Sequence, residues 1–515
     1  MVGRLIMMKR IIAVYAFLIL FNSCAVKSAT YNTDLHTNYN SALHINVVDN
    51  GAIGDGVTND KSAIDNAIFT ARALGKNVYF PDGTYLYAGT GLDAGGIRFY
   101  GESKSGTIIM DNIYTRGHNI DGAENITLQN IRITDYGLSA SRIFKNCKFI
   151  STINDGNFEI FHQGVYVEGT RYEFIDCDFV YDNVYTVLWL RKYNSAIIKN
   201  CTFTGTANHP IRIDLQNIPN AKIEIVGNVI TGGRTGIFVG SNRELPLEGG
   251  LIEGNTLYRQ TEESIALDGF GDTPSLCPVI ANGPISSVSN DANGRLVIGM
   301  DNMVYHDGVT TNVSSPVSLR TDWTNFYFSL DQGSHQEGTI VKIYSYNNTA
   351  NTLTLDTYLN SNEVKVGGFG GVQSGFFNWT IRNNTIIGNG VSNTYATAIS
   401  AYLNVFNTKI ENNNVKECAH GISLAGGLML STYYTLSYNN ILSGNSFIDC
   451  DQVGSDAPSS NTGVVRILSY NNGHKQYNNK FINNTVNGGR IYIEKQENFS
   501  YYGNTLINTI EIIVW

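Results

Sequence analysis

The chain has 515 residues, of which 15% are charged and 42% hydrophobic, and its formal net charge is −9. That balance excludes the broad Lys/Arg surface that nucleic-acid binding requires, while leaving room for an acidic glycan held in a local basic groove. With 52 Gly, 9 Pro and many Asn, Thr and Tyr residues, the composition favours short strands and polar turns over helices.

At the N-terminus, Arg4, Lys9 and Arg10 precede an apolar run from Ile11 to Phe21, followed by Asn22, Ser23 and Cys24. A basic start with about ten apolar residues is too short for an ordinary membrane span and fits a secretory signal. The Leu20-Phe-Asn-Ser-Cys24 ending resembles a bacterial lipobox, with Cys24 as the lipidated residue, although Asn22 departs from its small-residue preference. The plainer alternative is cleavage near Ala29. The expectation is an exported protein, lipid-anchored at the outer membrane or cell surface or periplasmic, with residues 1–24 as signal and 25–44 as linker. Its contact with membrane would be through the anchor only.

Six further cysteines follow, and three fall within a repeat. A polar residue or Gly, then Cys or Asn, then a small or polar residue, then a large apolar one recurs at Cys147, Cys177, Cys201, Asn228 and Asn255, and resumes at Asn384, Asn413, Asn445, Asn484 and Asn504. The first steps are 30, 24, 27 and 27 residues, a solenoid period. Equivalent residues of stacked coils lie about 4.8 Å apart, so inward Asn side chains can bond along a ladder. Cysteines at that position read as stacked buried thiols rather than a metal site, and Cys418 and Cys450, each five residues after a ladder Asn, read the same way. The fold class expected is all-β, a single-stranded right-handed parallel β-helix.

Ahead of the coils, Ala63, Ile64, Ala67, Ile68 and Ala71 form a helical apolar stripe, with Asn59 or Asp60 to cap its start and Gly75 to end it. Such a helix would close the open end of the solenoid, which otherwise presents an unpaired edge. Gly54-Asp-Gly56, Asp60 and Phe80-Pro-Asp-Gly-Thr-Tyr85 resemble the opening of the pectate-lyase-like superfamily of β-helix proteins, which includes lyases, glycosidases and tailspike depolymerases. Asn50 stands where that family has an aromatic residue. The opening spans residues 45–85, and the coils extend the likeness over most of the chain. The resemblance implies carbohydrate chemistry without specifying a reaction, since one fold hosts many functions.

Between Asp272 and Gly375 the ladder motif stops, and Gly338–Tyr346 and Thr352–Leu355 alternate like strands around Asn347-Asn348. The chain therefore divides into β-helix over 45–272, an inserted β-rich domain over 273–375, and β-helix again over 376–515. Leaving from mid-solenoid, the insert is expected to cover a groove, and its removal to spare the coils.

Strands preceding the ladder motifs align as Gly164–Glu168, Val187–Arg191, Pro210–Asp214, Gly236–Gly240 and Ser264–Asp268. Period-two alternation then gives two outward columns. One is Tyr166, Trp189, Arg212, Phe238 and Ala266; the other is Glu168, Arg191, Asp214, Gly240 and Asp268. Aromatic faces suit sugar rings, and arginines suit carboxylate or sulfate. A one-residue slip would invert every side chain, in which case these are solvated surface positions.

On this alignment Asp214 and Asp268 stand two coils apart, roughly 9.5 Å by strand spacing, near the upper limit for an inverting hydrolytic pair. The same two are candidate Ca2+ ligands; no other cofactor is indicated. For β-elimination on a uronic-acid polymer, Arg191 and Arg212 would neutralise the uronate and His209 would be the base. Trp189, Glu168, Phe238, Arg243 and Glu263 are candidate substrate-binding residues, and His162, Lys192, Arg234, Glu244 and Glu262 stand behind them. The leading expectation is a polysaccharide lyase on an acidic polymer. A glycoside hydrolase using Asp214 and Asp268, or a non-catalytic glycan-binding lipoprotein, are the alternatives.

Overall fold

The computed structural model describes residues 39–89, 91–112, 117–134, 141–152, 159–162, 171–191, 195–214, 222–241, 245–268, 279–305, 323–390, 396–426, 428–430, 433–434, 436–451, 463–469 and 475–514. Cys24 and the signal segment, most of the linker, Glu168, Lys192, Arg243, Glu244 and Cys277 lie outside them.

Three long sheets run the length of the chain, with 14, 14 and 13 strands among the described residues, and neighbouring strands in each are parallel. The result is the expected right-handed parallel β-helix. Each sheet sends one aliphatic or aromatic column inward. In the 13-strand sheet that column includes Phe161, Leu188, Ile211, Ile237, Ile265, Ile399 and Ile422, all paired rung to rung and fully buried. In the sheet running from Asp55–Asn59 to Thr505–Ile507, Phe149, Phe179 and Phe203 stack face to face at 4.7 and 4.6 Å. Burial of such rings, at about 25 cal/mol per Å² of apolar surface, drives the stacking.

The repeat motif now has a backbone reason. The residue before each ladder position turns left-handed, with φ of 47° at Asn146, 55° at Asp176, 54° at Asn200, 68° at Gly227 and 57° at Asn383, a conformation that Gly, Asn and Asp tolerate best. The next side chain is thereby thrown inward. Asn228 donates its backbone N–H and its Nδ2 to Asn255 Oδ1 at 3.0 and 2.9 Å. Asn255 does the same to Asn384 at 2.9 and 3.0 Å, and the ladder continues through Asn413, Asn445, Asn484 and Asn504. The step from Asn255 to Asn384 spans 129 residues, so the coils stack directly across the insert.

Cys147, Cys177, Cys201, Cys418 and Cys450 are free and buried, and burial pushes the Cys147 and Cys201 thiols up. Thiol titration of denatured, unreduced protein should find all five free; a mapped disulfide among Cys147, Cys177 and Cys201 would contradict the coil register.

The helix Lys61–Leu74 buries the expected stripe and ends at left-handed Gly75, φ 63°. Its start differs from expectation. Asp60 occupies the N-cap position without a side-chain cap bond. Its carboxylate instead accepts the N–H groups of Ile53 and Gly54 at 2.7 and 3.1 Å, tying the Gly54-Asp-Gly56 turn to the helix. Asn59 Oδ1 accepts from Lys61 N–H at 3.2 Å.

Within the insert, Val279–Gln373 supplies one eight-stranded sheet, antiparallel in every pair, around its own core of Trp323, Phe326, Phe328 and Leu353. It seats on a short sheet of Leu247–Glu248, Phe376–Phe377, Val405–Phe406 and Ser437–Tyr438. Tyr327 stacks on Phe377 at 3.9 Å, Lys342 pairs with Glu248 at 3.1 Å, and Tyr438 OH donates to Asp331 at 3.2 Å. Phe377, Phe406 and Tyr438 are buried in this cluster, so excision of the insert would expose apolar surface on the coils. The expectation that removal spares them does not fit this packing.

Candidate active groove

The site is built on the outer face of the 13-strand sheet, on the strands Val184–Arg191, Ala207–Asp214, Ile237–Gly240 and Ile265–Asp268. Rung pairing runs Trp189 to Arg212 to Phe238 to Ala266, and Arg191 to Asp214 to Gly240 to Asp268. Both columns therefore stand in the expected register from Trp189 and Arg191 onward. The alignment fails one coil earlier: His162 pairs with Trp189 and Phe161 with Leu188, so the strand Glu159–His162, not Gly164–Glu168, precedes them. Gly164–Glu168 carries the alternation, whereas Glu159–His162 has Ile160 and Phe161 side by side, and it is the pairing of Phe161 with Leu188 that selects the second. Tyr166 and Glu168 lie outside the described residues, as does the side chain of Arg191.

Arg212 is the centre of the groove. Its guanidinium carbon lies 4.6 Å from the Trp189 ring centroid and 5.5 Å from that of Phe238, an arrangement that fixes the cation between two aromatic faces. Asp214 Oδ2 accepts Arg212 Nε at 2.7 Å and Trp189 Nε1 at 2.7 Å. Asp214 is 2% exposed and the Arg212 side chain 15%. The carboxylate is thus a buried clamp that positions both neighbours, and the two terminal nitrogens of Arg212 have no hydrogen-bond partner among the described residues. Glycine at 240 places no side chain in the second column between Asp214 and Asp268, and its backbone is buried.

His209 lies against this cluster, 5.2 Å from Phe238 and 6.4 Å from Tyr185 by ring centroids. Tyr185 also meets Trp189 edge-on at 6.2 Å; it was not among the expected site residues. The signal was available, because Tyr185 is four positions before Trp189 and shares its parity on one strand. Burial, then the charges of Arg212 and Arg234, lower His209 to about 3, so the imidazole is neutral at ordinary pH. Its Nδ1 is buried without a hydrogen-bond partner among the described residues.

A depressed His pKa has a definite sign in stability. Unfolded His binds a proton near pH 6.5 and the folded residue near 3, so stability is full above 6.5 and falls as pH drops between the two values. His209→Gln should remove that loss, roughly 3 kcal/mol by pH 4 at about 1.4 kcal/mol per unit. Urea melts of both proteins at pH 7 and pH 4 check it; parallel acid losses would place His209 in a more polar setting.

Two residues before the Ile211, Ile237 and Ile265 rungs stand His209, Thr235 and Glu263. Thr235 Oγ1 donates to Glu263 Oε2 at 3.1 Å, and burial pushes the Glu263 carboxyl up. Glu262 pairs with Arg234 at 2.7 Å. For calcium, Asp214 and Asp268 bring two carboxylates, one of them already accepting two N–H donors, against the six to eight oxygens that Ca2+ takes. No cluster of three or more His, Cys, Asp or Glu that could hold a metal occurs among the described residues.

Residues 44–256 match the family model described as rhamnogalacturonase A/epimerase, pectate lyase-like. The match agrees with the superfamily that the opening motif resembles. A search of curated proteins gives no match. Among solved structures, the chain is similar to the A-module of the Azotobacter vinelandii mannuronan C-5 epimerase AlgE6, with 16% identity over 91% of this chain and 99% of that one, TM-score 0.38. It is also similar to the catalytic unit of a GH87 α-1,3-glucanase from Streptomyces thermodiastaticus, with 12% identity over 93% and 70%, TM-score 0.37. The Dettilon tailspike protein gives 12% identity over 92% and 68%, TM-score 0.32. At such identities and scores these likenesses say nothing of the reaction.

Proposed function

We propose that this chain is a polysaccharide-cleaving enzyme, and specifically a lyase that acts on an acidic, uronate-containing polymer by β-elimination. The observation that carries the reading is the Arg212 guanidinium, held by Asp214 through Nε and flanked by Trp189 and Phe238, with its terminal nitrogens left to take a ligand. That fork matches a carboxylate bidentately, and the two rings suit the apolar face of a sugar.

The steps then follow from the neighbouring charges. Burial and then the charges of Arg212 and Arg234 hold His209 down; a uronate on Arg212 offsets the second of these, raising the proton affinity of His209 as the C5 proton becomes more acidic. His209 takes that proton, C4=C5 forms, the C4–O4 bond breaks, and O4 leaves with a proton. Glu263, whose carboxyl burial favours the protonated form, is the candidate donor. Hydrolysis by Asp214 and Asp268 is the second reading, favoured by their alignment in one column with no side chain at Gly240 between them but opposed by the commitment of Asp214 to Arg212 and Trp189. Export with lipidation at Cys24 would set the enzyme at a surface where polymers are met.

Purified mature protein should be incubated with acidic and neutral polysaccharides and the products analysed for reducing ends and ultraviolet-absorbing unsaturated uronate. Both appearing together, on acidic polymers alone, supports the lyase. Reducing ends without unsaturation point to hydrolysis, and no cleavage of any polymer would sink the enzymatic reading.

A further inference from the structure

Beside the groove, where the turns enter the 13-strand sheet, lies a cavity of about 500 Å³ lined by Asn183, Asn208, Arg234, Arg259, Thr261 and Glu262 among others. Its charges are unequal. Glu262 is matched by Arg234 at 2.7 Å, whereas Arg259 has no carboxylate partner among the described residues. Arg259 also occupies a backbone position that its neighbours give to glycine. Gly232, Arg259 and Gly388 are equivalent turn residues on successive coils, linked through Gly232 N–H to Tyr258 O at 2.8 Å and Arg259 N–H to Ile387 O at 3.0 Å. All three are left-handed, with φ of 77°, 57° and 71°. An L side chain is disfavoured there, and Gly388 on the next coil leaves the space beside this one free of a side chain. A Cβ on Gly388 would stand 3.4 Å from Arg259 Cγ.

We propose that this cavity is a second anionic-sugar subsite, in which Arg259 takes the carboxylate or sulfate of a unit flanking the one held by Arg212. The inference rests on the acidic-polymer reading above and adds a location and a residue to it. Continuity with the groove comes through Asn208 and Arg234: Asn208 precedes His209, and Arg234 is close enough to lower its proton affinity. The surplus positive charge and the volume, with a lining that mixes polar and apolar surface, suit a charged sugar, whose ring carries both kinds of face.

The test uses Arg259→Gly, which fits the left-handed backbone better than Arg does and should melt at the same temperature or higher, so loss of function cannot be loss of fold. Full-length protein is titrated calorimetrically with galacturonate oligomers and alginate oligomers of increasing length. The unaltered protein should gain at least tenfold in affinity when the oligomer becomes long enough to reach the cavity, and Arg259→Gly should lose that gain. Arg212→Ala should weaken binding at every length. An unchanged gain in Arg259→Gly, or no gain with length in the unaltered protein, overturns the subsite alone. Failure of the unaltered protein to bind any acidic oligomer overturns the acidic-polymer reading with it.

Discussion

Arg212→Ala is expected to lower turnover of an acidic polymer by two orders of magnitude or more, about 3 kcal/mol of transition-state stabilisation. The size follows from what the guanidinium is asked to do. A uronate at the groove carries full negative charge, and removal of the C5 proton adds more, so a fixed cation binds the transition state better than the ground state. Truncation also leaves Trp189 and Phe238 without the cation between them and Asp214 buried without its ion-pair partner. Stability should therefore fall as well. Arg212→Lys separates the two effects: it keeps a charge near Asp214 while losing the planar fork, and should restore stability more than turnover. Kinetics and urea melts of the three proteins read this out, and near-normal turnover in Arg212→Ala would remove Arg212 from the site.

Asp214→Ala is expected to cost nearly as much in activity, by a different route. Asp214 is 2% exposed and accepts from both Arg212 and Trp189. Breaking a buried ion pair costs about 3 to 5 kcal/mol, and since the Arg212 side chain keeps 15% exposure about 2 kcal/mol of stability is expected to go. The outward position alone would suggest a smaller loss, because an exposed carboxylate fills no core volume. Asp214→Asn keeps an oxygen acceptor for both donors and should retain more of the fold and of the activity. If Asp214→Asn were fully stable yet inactive, the carboxylate would be needed for chemistry rather than for position, and the hydrolytic reading with Asp268 would gain.

The fold was legible in the sequence because stacking makes its period visible. A ladder position every 24 to 30 residues is local information, and the structure carries it through Asn228, Asn255 and Asn384 across the insert. The outward columns were legible for the same reason, since inward aliphatic residues at Leu188, Ile211, Ile237 and Ile265 fix the parity of everything between them. The coil before Trp189 was not, because Gly164–Glu168 alternates and Glu159–His162, with Ile160 and Phe161 adjacent, does not, while the choice rests on Phe161 meeting Leu188. Burial was the other missing quantity. Sequence placed Asp214 outward with Arg212, but nothing in the spacing shows that the two pair or that Trp189 closes over the carboxylate. The seating of the insert was hidden as well, because Tyr327 and Phe377 meet only after the chain has returned.

Recognition of a uronate carboxylate by Arg212 is best measured by changing that carboxylate rather than the protein. A cleaved acidic polymer should be compared with the same polymer after chemical reduction of its uronates to neutral hexoses, at equal chain length. Unsaturated products and turnover are expected from the first and none from the second, because both the Arg212 contact and the acidity of the C5 proton depend on the carboxylate. Equal cleavage of the two would contradict that recognition.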